Sequence, residues 1–202
     1  MTFTTRTDDR TAVYGLVLAG GRSRRMGRDK AALAIGGRGE SQLARSVALL
    51  RRHVSKVFVS VRADQRDDPA RSGFDLIEDR YDGKGPAAGI LSALETFPGV
   101  SWLVLACDLP RVDDETIAVL LDNADPGLPT TAYRSVADGL PEPLCAVWHP
   151  RAAALLREQF EQDMLCPRKA LIRWSVPLLA QPTPGALDNV NTPEDLERVA
   201  GS

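Results

Sequence analysis

The stretch "VLAGGRSRRMGRDKA", Val17 to Ala31, runs from apolar residues through a glycine pair into a group of cations. Gly20 and Gly21 carry no Cβ, so the backbone there can approach a ligand closely. Consecutive amides in such a turn cradle oxyanions. Arg22, Arg24, Arg25, Arg28 and Lys30 follow, against the single acid Asp29. That combination suits a polyphosphate. The spacing belongs to neither GxxxxGK[ST] nor GxGxxG, so a P-loop and a dinucleotide fingerprint are both excluded.

Two further stretches carry chemistry. Asp108 directly follows the apolar run "WLVLAC". A carboxylate there suits Mg²⁺, a hard cation that takes oxygen ligands and shares them with phosphates. Its alternative is a turn-forming Asp before Pro110. In "IEDRYDGKGPAAGI" the acids Glu78, Asp79 and Asp82 precede Gly83, Gly85 and Gly89. A helix that opens after such glycines favours an anion or a ribose and base contact.

The elements that must position these residues follow from periodicity. Ala12–Leu18, Lys56–Val61, Phe74–Ile77, Trp102–Ala106, Thr130–Tyr133 and Leu144–Trp148 read as strands. Ser41–Arg52, Pro86–Phe97, Asp113–Asn123, Pro150–Glu161, Arg168–Trp174 and Thr192–Ala200 read as helices. The alternation predicts an α/β fold with one doubly wound, mostly parallel sheet in three layers. Ligands of such sheets bind beyond the carboxyl ends of the strands, at a switch point. The loops 19–30, 78–86 and 107–112 all follow strands.

The 202 residues are expected to form one domain, with a nucleotide-binding half over about 12–110 and an acceptor-binding half over about 111–200. A net charge of −2 argues against a general nucleic-acid binder, which carries a basic surplus. Three cysteines without a CxxC pair, and only two histidines, make no zinc cluster. The start is polar, and no apolar run approaches the roughly 20 residues that span a bilayer. The expected location is the cytoplasm, with no membrane partner.

Taken together, "LAGGRSRRMGRDK", "IED" with "GPAAGI", "CDLP" at 107–110 and "NVNTPEDL" at 189–196 resemble the molybdenum cofactor guanylyltransferase family of nucleotidyltransferases. The matches run in order over nearly the whole chain, and the first and last are the most specific. The resemblance implies a Rossmann-like nucleotidyltransferase fold. It also implies Mg²⁺-dependent transfer of GMP from GTP to the terminal phosphate of molybdopterin, with release of pyrophosphate.

The same resemblance implies roles by position. Leu18, Ala19, Gly20 and Gly21 meet the nucleotide through backbone, with Ser60, Asp79 and Gly85 completing its site. Lys30 holds phosphates and Asp79 contacts the guanosine portion. Asp108 carries Mg²⁺. Asn189 and Asn191 serve the acceptor. Arg25 is a second candidate for the triphosphate, since a guanidinium grips two oxygens. GTP and molybdopterin are the expected substrates, and a molybdoenzyme or a chaperone is a candidate protein partner.

Three positions depart from the family pattern. "GGRGESQLARS" replaces the usual turn after Asp29 and Lys30, Ser60 stands where Asn is common, and Glu142 precedes Pro143-Leu144. As an acid near an anionic acceptor, Glu142 fits poorly, and its alternative is an exposed turn residue. Two other functions compete: a sister enzyme using CTP or a sugar or alcohol phosphate, and a non-catalytic nucleotide-binding protein. If Lys30 is the phosphate grip and Arg28 only tunes the field, Lys30→Ala costs far more turnover than Arg28→Ala. Steady-state kinetics of the two variants decides this, and equal losses would return the stretch to a generic basic loop.

Overall fold

The computed structural model describes residues 12–19 and 41–188. In chain order the elements are β1 (Val13–Leu18), α1 (Gln42–Arg51), β2 (Val57–Val61), β3 (Asp75–Glu78), α2 (Pro86–Thr96), β4 (Ser101–Ala106), α3 (Asp114–Asp122), β5 (Thr130–Arg134), β6 (Pro141–Trp148), α4 (Ala152–Glu161), α5 (Pro167–Arg173) and β7 (Leu178–Leu179). The strands form one sheet in the order β3-β2-β1-β4-β6-β5-β7. Among the described residues β6 alone runs against the rest, antiparallel to both β4 and β5. The expected doubly wound, mostly parallel sheet is therefore present.

Strand alternation builds a core on each face of the sheet. Val17, Leu103, Leu105 and Val147 point to one face, where they meet Leu43, Val47 and Leu50 of α1 and Ile117 and Leu120 of α3. Leu16, Val104, Ala146 and Trp148 point to the other, against Ile90 and Leu91 of α2, Leu156 of α4 and Leu171 of α5. Burying both faces explains why β1 and β4 are mostly apolar rather than alternating.

The helix starts obey local chemistry. Ser41 caps α1 by accepting from the Ala44 N–H at 3.2 Å, and Asp113 caps α3 by accepting from the Thr116 N–H at 2.8 Å. Pro86 opens α2 behind Gly85, whose φ of 66° and ψ of −157° lie in a region open essentially to glycine.

Where structure and sequence reading differ, the causes are local. β6 begins at Pro141, ahead of the expected Leu144. Its prolines Pro141 and Pro143 lie outside the span that pairs with β4 and beside an irregularity in the β5 pairing, so their missing N–H groups break no regular ladder. β7 is too short for a period to show. Two 3-10 turns, Ala63–Gln65 and Pro69–Arg71, lie between β2 and β3, where no element is expected from sequence. The expected helix over Thr192–Ala200 lies outside the described residues.

α2 packs unusually close to the sheet. A Cβ on Gly89 would collide with Ser60 Oγ of β2 and stand 3.0 Å from Leu18 Cδ2 of β1. Gly89→Ala is therefore expected to push α2 from the sheet and lower stability by about 1–3 kcal/mol, the usual range for overpacking. Urea unfolding measures this, and an unchanged midpoint would show that the contact is slack.

Candidate active site

The parallel strands place their carboxyl ends along one edge. Leu18 is in register with Ser60 on one side and with Ala106 on the other. The Cys107 N–H continues the ladder by donating to the Leu18 carbonyl at 3.3 Å. Asp108 therefore leaves the sheet immediately beyond the end of β1, at the β1/β4 switch point. Asp79 follows β3, and its N–H donates to the Val61 carbonyl at 2.8 Å. Leu18, Ala19, Ser60, Asp79 and Asp108 thus share the strand-end edge, and Gly85 follows Asp79 at the start of α2. Gly20, Gly21, Arg25, Lys30, Asn189 and Asn191 lie outside the described residues.

Ser60 is 2% exposed and donates its hydroxyl hydrogen to Asp79 Oδ1 at 2.7 Å. Burial pushes the Asp79 carboxyl up to about 6, although the Ser60 bond and the nearby Arg62 charge pull it down; Glu78 adds to the rise. The loop from Asp79 to Gly85 is tied down on both sides. The Arg80 N–H donates to Ser92 Oγ at 2.9 Å. Tyr81 donates to the Glu95 carboxylate and packs edge-on against Phe160 of α4, with ring centres 5.2 Å apart. Lys84 Nζ reaches Asp163 at 2.9 Å.

Sequence reasoning missed Arg71. Its side chain is buried, and its guanidinium pairs with Asp68 while donating from Nη2 to the Ala19 carbonyl at 3.2 Å. The charge therefore anchors the chain as it leaves β1. Nothing in "DDPARSG" distinguishes this Arg from a solvated one; only the 3-10 turn folding back over β1 buries it.

The chain leading toward Asn189 is tethered beside the Asp108 loop. Thr183 Oγ1 donates to Asp113 Oδ2 at 3.0 Å, and Arg111 Nη1 lies 3.9 Å from Asp188 Oδ2. Glu142 sits in β6 rather than in an exposed turn. Arg168 of α5 donates to it at 3.0 Å and to Asp138 at 2.9 Å, so its charge is matched by a partner.

The two histidines are engaged elsewhere. His149 is buried between Ser101 Oγ at 2.9 Å and Thr131 Oγ1 at 3.3 Å, near the amino end of β4. Burial lowers its pKa to about 4, so it stays neutral at physiological pH. His53 pairs with Asp114 at 2.7 Å. Among the described residues no three His, Cys, Asp or Glu side chains form a metal-holding group. A lone carboxylate such as Asp108 at the end of β4 is still compatible with Mg²⁺, which commonly takes one or two protein carboxylates and completes its shell with water and substrate phosphates. No helix among the described residues is long and apolar enough to cross a membrane.

Comparison with known proteins agrees with this arrangement. The family model described as a MobA-like NTP transferase domain matches residues 15–177. The chain is 35% identical over 189 residues to a molybdenum cofactor biosynthesis bifunctional protein of Synechocystis sp., covering 94% of this chain and 54% of that protein. It thus spans about half the length of that relative. It is 33% identical over 195 residues to a probable molybdenum cofactor guanylyltransferase of Chloroflexus aggregans, covering 92% of each. In fold it is similar to the crystal structure of a molybdopterin-guanine dinucleotide biosynthesis protein A from Archaeoglobus fulgidus. The TM-score is 0.75 at 24% identity, covering 93% of this chain and 97% of that one. With the match extending over most of the sheet and its strand-end edge, the chain belongs to the MobA-like NTP transferase domain family and is a nucleotidyltransferase.

Proposed function

We propose that this enzyme transfers GMP from GTP to the terminal phosphate of molybdopterin and releases pyrophosphate, acting in the cytoplasm. The observation that supports it most is the gathering of the β1 end, the Ser60–Asp79 pair and Asp108 on one strand-end edge. The guanylyltransferase names of full-length relatives supply the base and the acceptor.

In this reaction an anionic oxygen of the acceptor phosphate attacks the α-phosphorus. The bond from that phosphorus to the β-phosphate oxygen breaks, and its electron pair leaves with pyrophosphate. The attacking oxygen carries no proton that must be removed, so no strong general base is required. His149, buried near the amino end of β4, is correspondingly engaged away from the strand-end edge. Asp108 would hold Mg²⁺, which when bound supplies positive charge that stabilises phosphate oxygens.

The remaining work belongs to the chain. Lys30 and Arg25 hold the triphosphate, and fixed cations there stabilise charge that grows on the non-bridging and leaving oxygens. The backbone at Leu18 to Gly21 lies along the nucleotide. Asp79 contacts the guanosine portion, with Gly85 at the adjoining helix start. Asn189 and Asn191 receive the acceptor. Glu142, matched by Arg168, presents no isolated negative charge to that acceptor.

Pyrophosphate release measured across the four NTPs with Mg²⁺, with and without molybdopterin, tests this reading. The expected result is release with GTP that depends on molybdopterin, and a loss of about a hundredfold or more in Asp108→Ala. Turnover with CTP in place of GTP would overturn the base assignment. Full activity of Asp108→Ala would overturn the role of Asp108.

A further inference from the structure

The hydroxyl of Ser60 is sealed in. Its residue is 2% exposed, and the first turns of α2 press on it at Gly89 so tightly that no Cβ fits between them. Its hydrogen bond is made to Asp79 Oδ1 at 2.7 Å. Asp79 is also held through its backbone by Val61 of β2. Both ends of the carboxylate's support therefore come from β2, and Asp79 Oδ2 makes no hydrogen bond among the described residues.

We infer that Ser60 is a positioning residue for nucleotide recognition: it fixes the Asp79 carboxylate in one orientation and leaves Oδ2 as the acceptor for a donor of the guanosine portion. This rests on the reading that Asp79 meets that portion. A buried Ser without direct access to ligand acts through the group it holds, so Ser60 does not touch the nucleotide itself. With Oδ1 engaged by Ser60, Oδ2 serves as the acceptor in the ionised carboxylate, whereas a proton placed on Oδ2 turns it into a donor. Among the described residues the charged groups around it are Arg62, just after β2, and Glu78 from β3. Pro86 to Ser92 of α2 contribute no ionisable side chain, and the Arg80 guanidinium is directed to Glu95 and Thr96.

The test measures the Kd for GTP from pH 5 to 8 in the wild-type chain, Ser60→Ala and Asp79→Asn. Thermal unfolding and the ¹³C titration of the Asp79 carboxyl are followed in ligand-free protein. The wild type is expected to lose GTP affinity as pH falls through about 6. Ser60→Ala removes a bond made to the ionised form. Its Asp79 titration and its affinity midpoint should both move to higher pH, with affinity at pH 7 about tenfold weaker. Asp79→Asn should bind weakly with no such midpoint. Ser60→Ala that unfolds normally but keeps the wild-type titration and affinity would overturn the inference alone. Absence of GTP binding by the wild-type chain, or wild-type GTP affinity in Asp79→Asn, would overturn the reading of Asp79 as well.

Discussion

The parallel register between β1 and its two neighbours is the constraint from which the site follows. Leu18 pairs with Ser60 on one side and Ala106 on the other, so the ends of three strands are level. Evenly spaced ladder bonds join the strands at that level. A shift of one residue in β2 would carry Ser60 to the opposite face of the sheet. Its hydroxyl would then be lost to Asp79. A similar slip in β4 would move Asp108 away from the end of β1. Chemistry at this edge is therefore secured by backbone pairing, with apolar cores on both faces enforcing it.

Polar groups are buried at this edge at a cost, and each is held by a partner from another element. Arg71 is a buried cation, and an unpaired charge in such surroundings would cost several kcal/mol. Its bonds to Asp68 and the Ala19 carbonyl offset that cost and tie the segment after β2 to the exit of β1. Asp79 is the counterpart on the acidic side, half-buried and steadied by Ser60. Glu142 and Arg168 repeat the pattern in the second half of the chain. Such pairs add less net stability than apolar packing, but they admit only one arrangement of the loops that carry them.

Much of this was legible in the residues. The strand and helix alternation follows from periodicity, and the start of α3 from acids that a helix N-terminus prefers. The three strand-end loops were marked by glycines, acids and cations after apolar runs. The reversed strand β6 was half hidden, because its apolar run starts at Leu144, and only the pairing shows that the strand extends back through Pro143 and Pro141, beyond the span beside β4. Arg71 left no trace, since a cation in a polar loop is ordinary and only its burial is not.

The sequence by itself determined the fold class, the three chemical loops and the family, because these depend on local period and on residues close together in the chain. Tertiary structure alone decided which polar groups are partners. Ser60 reaches Asp79 across 19 residues, and Arg71 reaches Ala19 across 52. It also explained Glu142, whose charge is answered by Arg168 from a helix 26 residues further along. The physical reason is the same in each case. The energy of a polar group depends on what surrounds it after folding, and that environment comes from segments whose separation along the chain carries no signal.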